Sequence, residues 1–129
     1  SADVSYQLDK MDEAEALYLD VLNQADKTQT SNANLFKLHA YNQLGLIARQ
    51  QGRFDEAEAY YRQALELDAN NAITIKNLAV LLDLYRGELA EAYALYQQYE
   101  VIVGDSDPKI KDWLYDIKNR LPTEEVSDE

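Results

Sequence analysis

The chain has 129 residues, 47% of them apolar, with 24 acidic and 12 basic side chains and a formal net charge of −12. That length and composition are typical of one folded domain with a real core. The negative charge would repel nucleic acid and anionic membrane surfaces, so we expect neither as a partner. No apolar run reaches the roughly 18 residues of a membrane-spanning helix, so direct insertion of this segment into a membrane is not expected.

Low glycine and proline content favours an all-helical chain. The sequence contains four Gly, two Pro and no Cys, and Ala, Leu, Glu and Gln, which are good helix formers, are abundant. The absence of Cys excludes disulfides and thiolate metal sites. We predict one domain over residues 1–121, built from helices and followed by an acidic, disordered tail at 122–129.

The first predicted element is an incomplete helix pair at residues 1–26. Met11–Ala25 has the pattern of a second helix, and Ala2–Leu8 is interpreted as the remainder of a first helix. We therefore expect either further chain upstream of Ser1 or a poorly capped end. Residues 27–34 are polar and predict a loop, in which Ser31, Asn32 or Asn34 provides the N-cap of the next helix. A disordered binding loop is the alternative reading of this segment.

The second element, residues 35–71, predicts two antiparallel helices joined at Gly52. Gly52 can adopt the left-handed conformation that ends a helix. Gly45 and Ala57 have little or no side chain, so the two helices can approach closely at these positions. Apolar residues at helical spacing would cover the seam between them, and they include Leu44 and Tyr61.

The third element, residues 72–104, follows the same plan less closely. Leu78-Ala79 takes the place of Leu44-Gly45, and the turn at Tyr85-Arg86-Gly87 is one residue longer. Tyr99 is large where its counterpart is small, which predicts a local departure in packing.

A final helix is predicted over residues 107–121. Asp107 and Pro108 suit the N-cap and first position of a helix. One stripe of this helix is apolar, and it contains Ile110, Trp113, Leu114, Ile117 and Leu121. We interpret the helix as a cap over the last open face of the fold, and Trp113 as part of its core, with a ligand-binding role as the alternative.

A phrase rich in Ala, Glu and Tyr recurs along the chain. Its aligned residues Ala14, Ala57 and Ala92 lie 43 and 35 residues apart, and a period near 34 is typical of tetratricopeptide repeats. The stretch Tyr41–Asn71 resembles the tetratricopeptide motif: it has the Leu-Gly pair of the first helix, the turn glycine, and the small and aromatic positions of the second. The resemblance implies an all-α, right-handed α-solenoid of antiparallel helix pairs with a C-terminal capping helix.

Residues suited to catalysis are few. His39 is the single imidazole, and one His without Cys does not make a zinc site of the usual composition. We interpret it as a surface or groove residue. The acid pairs Asp12-Glu13 and Asp55-Glu56 are interpreted as helix starts, where carboxylates complement the helix dipole. We expect no enzyme activity, no catalytic residue, no metal and no cofactor.

The family resemblance implies that the first helix of each repeat lines a concave groove that holds a peptide or partner protein. Carried onto this sequence, the inward positions are the candidate partner-binding residues: His39, Asn42, Leu46, Arg49, Gln50, Ile73, Lys76, Val80, Asp83 and Leu84. The set combines apolar groups with polar groups that can bond a peptide backbone, as peptide grooves do. The alternative is that its apolar members are covered by neighbouring helices.

We therefore predict a protein-interaction scaffold or adaptor. The segment Asn77–Leu121 also resembles the end of certain bacterial tetratricopeptide proteins, several of which resemble exported lipoproteins linked to pilus or envelope assembly. This resemblance favours a periplasmic or outer-membrane-associated location over a cytoplasmic one. The alternative function is structural: the incomplete first pair leaves a face that a second copy could cover, giving a homodimer or a stacked assembly.

Overall fold

The computed structural model describes residues 2–28 and 31–122, and the side chains from residue 4 onward within those ranges. The described residues form helices and turns without a strand. The helices are α1 (Ala2–Thr28), α2 (Ala33–Gln50), α3 (Phe54–Leu67), α4 (Ala72–Leu81), α5 (Leu89–Val103) and α6 (Lys109–Arg120).

Helices that follow one another pack together within two compact units, Ser1–Asp68 and Ala69–Glu129. In the first unit α2 packs against α1 and α3, and in the second α5 packs against α4 and α6. The predicted all-α architecture of antiparallel helix pairs is confirmed, and α6 occupies the position of the predicted C-terminal cap on α5.

The N-terminal segment differs from its prediction. Residues 2–8 are not the remainder of a separate helix, because α1 runs without a break through all 27 residues from Ala2 to Thr28. No Gly or Pro lies in this range, so nothing in the sequence stops the helix. The pair Asp12-Glu13 consequently lies in the middle of α1 and does not mark a helix start, whereas Asp55 and Glu56 do lie in the first turn of α3.

Polar contacts fix α2 and the start of α3 against α1. The Arg53 guanidinium lies 2.8 Å from the Glu15 carboxylate, and Lys37 Nζ lies 2.9 Å from Asp26 Oδ1. Asn32, one of the three predicted N-cap residues, occupies the N-cap position of α2. Its side chain accepts no capping hydrogen bond. Residues 29 and 30 of the predicted loop lie outside the described residues.

The α2–α3 pair closes around a glycine. A Cβ placed on Gly45 would lie 2.4 Å from Cε1 of Tyr61, so only a residue without a side chain permits this approach. Leu44, Ala57 and Tyr61 have no exposed surface. Gly52 lies in the turn between the two helices at φ +78°, in the left-handed region that favours glycine.

The α4–α5 pair has a different turn. α4 begins at an Asn71 cap, whose side-chain oxygen accepts a hydrogen bond from the Thr74 backbone amide at 3.0 Å. Its last turn widens into a π-helical segment, Leu82–Arg86, which accommodates the extra residue of this repeat. Gly87 follows with φ +71°, and the Glu88 amide donates to the Leu82 carbonyl at 2.9 Å.

The last helix docks along the predicted stripe. Ile110, Ile117 and Leu121 are buried, while Trp113 and Leu114 are half-buried. The helix begins at Lys109, so Asp107 and Pro108 precede it. Residues 123–129 of the predicted acidic tail lie outside the described residues.

Candidate functional site: a cleft between α4 and α6

The predicted groove positions of the first unit lie on α2 and differ in exposure. His39 and Gln50 are exposed, Leu46 and Arg49 are half-buried, and Asn42 is buried. The Asn42 amide donates to the carbonyl of Leu38 one turn earlier at 3.2 Å. This side chain therefore contributes to the helix itself more than to a surface that a partner could reach.

The single imidazole of the chain packs on an aromatic ring. The rings of His39 and Tyr18 lie 5.8 Å apart at 71°, an edge-to-face geometry that aromatic pairs favour. The Tyr18 hydroxyl also accepts a hydrogen bond from the Gln43 amide at 3.4 Å. His39 thus lies on the surface beside a half-buried tyrosine, as the sequence interpretation has it.

The predicted groove positions of the second unit begin on α4 and end in its π-helical turn. Ile73 and Leu84 are 66% and 63% exposed, which is high for large apolar side chains. Lys76, Val80 and Asp83 are half-buried. The two charged members of this set have partners inside the same unit.

Lys76 lies among aromatic and acidic groups. Its ammonium is 4.8 Å from the ring centre of Trp113 and 5.5 Å from that of Tyr99, within the range of cation–π attraction. It also lies 3.5 Å from Asp107 Oδ2, which accepts a hydrogen bond from the Tyr99 hydroxyl at 2.5 Å. That hydroxyl, followed by Lys76, lowers the pKa of Asp107. The large Tyr99 is thus buried, with its hydroxyl bonded to the segment that leads into α6.

Asp83 joins the π-helical turn to α5 and α6. Its Oδ1 lies 2.7 Å from the Arg120 guanidinium, and its Oδ2 accepts a hydrogen bond from the Tyr96 hydroxyl at 3.0 Å. Burial, followed by the Asp83 charge, raises the pKa of Tyr96, while the hydrogen bond with Asp83 raises that of Arg120. Arg120 also lies 2.9 Å from Asp116.

The cluster around Asp83 and Arg120 borders a cavity of about 360 Å³, which we call the α4–α6 cleft. The cleft is lined by Val80, Asp83, Leu84, Tyr96, Trp113, Asp116 and Arg120. The Trp113 ring meets the Tyr96 ring edge-on at 5.8 Å.

The structure therefore brings together three of the predicted groove residues, Val80, Asp83 and Leu84, with four that were not assigned to the groove. The apolar stripe of α6 indicates a core position for Trp113. Asp116 and Arg120 follow Trp113 at successive intervals of three and four residues, so the three side chains lie on one face of the helix. That spacing is the signal from which the α6 wall of the cleft could have been predicted. Tyr96 offers no such signal, because its position in the repeat is typical of core packing.

The lining of the α4–α6 cleft combines apolar and charged side chains. Val80, Leu84 and the two aromatic rings can bury an apolar group, and the side chains of Asp83, Asp116 and Arg120 form a charged edge. Across residues 2–28 and 31–122, no cluster of three or more His, Cys, Asp or Glu side chains could hold a metal ion. No described helix has both the length and the apolar character needed to cross a membrane.

Comparison with known proteins agrees with this architecture. The sequence has no significant match among curated proteins. Among solved structures, the chain is similar to the type III secretion chaperone SycD of Yersinia enterocolitica, in complex with a peptide of the translocator YopD. The TM-score is 0.58 at 21% identity, and the match covers 84% of this chain and 95% of that one. The tetratricopeptide repeat profile matches residues 1–70, more than half of the sequence, and the chain therefore belongs to the tetratricopeptide repeat family.

Proposed function

We propose that the chain is a non-catalytic scaffold that binds a peptide or partner protein, with the α4–α6 cleft as a principal contact surface. The observation on which this rests is the cleft itself: half-buried Val80 and exposed Leu84 lie beside two aromatic rings, and a charged edge accompanies them. A similar fold that contains a bound peptide, SycD with its YopD peptide, supports the same reading.

Physical chemistry favours such a use. Apolar surface contributes roughly 25 cal/mol per Å² when a partner removes it from water, so exposed Ile73 and Leu84 are sources of binding energy. A groove that combines apolar walls with a few polar groups fixes both the affinity and the orientation of a peptide. The exposed and half-buried α2 positions, including His39, Leu46 and Gln50, are proposed as further contacts of the first unit.

Photo-crosslinking tests this proposal. A photoreactive residue at Leu84, which is 63% exposed, is compared with one at Gln63, an exposed position on α3. Both variants are irradiated with a random peptide library displayed on phage. We expect peptides to be captured from Leu84 and not from Gln63. Equal capture from both positions, or none from either, would reject the cleft as a binding surface.

A bacterial envelope or pilus-assembly setting is the finer form of this proposal. The resemblance of Asn77–Leu121 to the ends of certain bacterial tetratricopeptide proteins, several of them similar to exported lipoproteins, supports it. Fractionation of the native host tests it: we expect the protein in the periplasmic or outer-membrane fraction, and recovery with cytoplasmic markers alone would reject it.

Self-assembly is the second candidate function. It is favoured by exposed apolar side chains on α1, where Tyr6 is 59% and Leu17 67% exposed. Light-scattering mass measured during size exclusion over a range of concentrations distinguishes the two functions. A homodimer would show a mass that rises with concentration, whereas a constant monomer mass would reject it.

A further inference from the structure

The size of the α4–α6 cleft restricts its occupant. Ligand pockets in proteins span about 300–1,000 Å³, so a cavity of about 360 Å³ lies near the lower limit. This volume is sufficient for one large side chain. The apolar part of the lining favours an apolar side chain, and it consists of Val80, Leu84, Tyr96 and Trp113.

The charged edge of the cleft has an excess of one carboxylate. The carboxylates of Asp83 and Asp116 share one guanidinium, that of Arg120, at distances of 2.7 Å and 2.9 Å respectively. Asp83 is already engaged within the unit and turned away from water, because its Oδ1 pairs with Arg120, its Oδ2 accepts the Tyr96 hydroxyl and its side chain is only 7% exposed. The Asp116 side chain is 68% exposed, so it faces water at the rim and can meet a further cation.

The net charge of the whole chain also favours a basic partner. A net charge of −12 attracts basic segments and repels acidic ones over the range of ionic screening. It also opposes occupation of the cleft by a second copy, which would bring the same negative charge. Charge complementarity therefore selects a basic partner over an acidic one or another copy of this chain.

From these observations we propose that the α4–α6 cleft receives one large apolar side chain of a peptide that presents Lys or Arg beside it, with Asp116 contacting the cation. This inference rests on the proposed function, and it adds the chemical class of the peptide. Trp113 and Tyr96 contact the apolar side chain, while Asp116 at the rim selects the flanking charge.

A set of matched peptides tests the inference directly. Three short synthetic peptides share one sequence, except that the first has Phe flanked by two Lys, the second Phe flanked by two Glu, and the third Ser flanked by two Lys. Trp113 is the single Trp of the chain and lines the cleft, so its fluorescence reports occupancy. We expect a shift with the Lys-flanked Phe peptide, binding weaker by about tenfold for the Glu-flanked peptide, and no shift with the Ser peptide.

A charge reversal gives the second measurement. Asp116→Lys should weaken the Lys-flanked peptide by about threefold to tenfold and strengthen the Glu-flanked peptide, since it reverses the charge at the rim. The control is Asp105→Lys, an equal change of charge at an exposed position before the other end of α6. We expect the control to leave the order of the three peptides unchanged.

The outcomes separate this inference from the proposed function. Equal binding of Lys- and Glu-flanked peptides, or an Asp116→Lys variant that keeps the original preference, overturns the inference. Peptides that crosslink from Leu84 yet leave Trp113 fluorescence unchanged also overturn it, while the scaffold function stands. If no library peptide is captured from Leu84 and none of the three shifts Trp113, both proposals fail together.

Discussion

The two central helix pairs place a tyrosine at equivalent positions with different results. In the α2–α3 pair Tyr61 is fully buried, and its hydroxyl has no hydrogen-bond partner among the described residues. In the α4–α5 pair Tyr96 is 2% exposed and donates its hydroxyl to Asp83. One tyrosine serves only packing, whereas the other also forms a wall of the candidate binding cleft.

The two pairs also differ by a single Cβ at an equivalent packing position. Gly45 leaves room for the Tyr61 ring, which lies where a Cβ would otherwise be. The corresponding residue in the second pair is Ala79, which has a Cβ. Tyr96 is directed instead toward Asp83 in the π-helical turn. A small change in a packing position therefore accompanies the formation of a polar cluster and a cleft.

The largest expected effect concerns the helix that covers the second pair. Ile117 has no exposed surface, so Ile117→Ala should reduce the free energy of unfolding by about 2–5 kcal/mol. Urea unfolding followed by Trp113 fluorescence measures it in the second unit. Tyr115→Ala, at a 72% exposed position of the same helix, is the control and should change stability by less than about 0.5 kcal/mol. Equal effects would mean that α6 is not docked as described.

Alkaline pH should destabilise the first pair through its buried phenol. Burial raises the pKa of Tyr61 to about 12, above the value of about 10 in an unfolded chain. The neutral phenol therefore contributes stability below about pH 10, and this is lost as pH rises through 12, by about 2–3 kcal/mol. Urea titrations at several pH values should show a smaller alkaline loss for Tyr61→Phe. An identical loss in both proteins would show that Tyr61 does not resist ionisation.

Gly45→Ala tests the close approach in the first pair. The added Cβ would lie 2.4–2.8 Å from three atoms of the Tyr61 ring, so we expect a loss of about 1–3 kcal/mol from overpacking. Thermal or urea unfolding measures it. In a Tyr61→Leu background the same change should cost much less, because the clashing ring is gone and alanine is the better helix former. A similar cost in both backgrounds would locate the strain elsewhere.

The smallest expected effect compares one substitution at the two equivalent positions. Tyr96→Phe removes a hydroxyl that bonds the Asp83 carboxylate, whose side chain is 7% exposed, so it should cost about 1–2 kcal/mol. Tyr61→Phe at neutral pH should change stability by less than about 0.5 kcal/mol, because the lost hydroxyl is buried without a partner. Chemical denaturation of both variants provides the comparison. Equal costs would contradict the different roles assigned to the two hydroxyls.

Most of the fold could be predicted from the sequence, because close packing imposes strict residue requirements. Gly45, Ala57 and Gly52 are needed for a close approach or a left-handed turn, and such positions are readable from spacing alone. The N-terminal helix was less predictable. The family resemblance suggested a break before Met11, but local sequence contains no residue that stops a helix, and local propensity prevailed in α1.

The candidate site was only partly predictable. Val80, Asp83 and Leu84 occupy family positions that face a groove, so the resemblance could identify them. The pairing of Asp83 with Arg120 joins residues 37 positions apart, and no local pattern indicates it. The π-helical turn contains Asp83 and Leu84, and the only sign of it in the sequence is a turn one residue longer than that of the preceding repeat.

The most direct test of the account is to map a captured peptide on the protein by NMR. The indole N–H of Trp113 gives one isolated signal, since the chain contains a single Trp, and methyl signals of Val80 and Leu84 report the opposite wall. The account predicts that the peptide shifts these three signals more than those of Leu17 and Leu19, exposed apolar residues on α1. Shifts confined to α1, with the signals of the α4–α6 cleft unchanged, would contradict it.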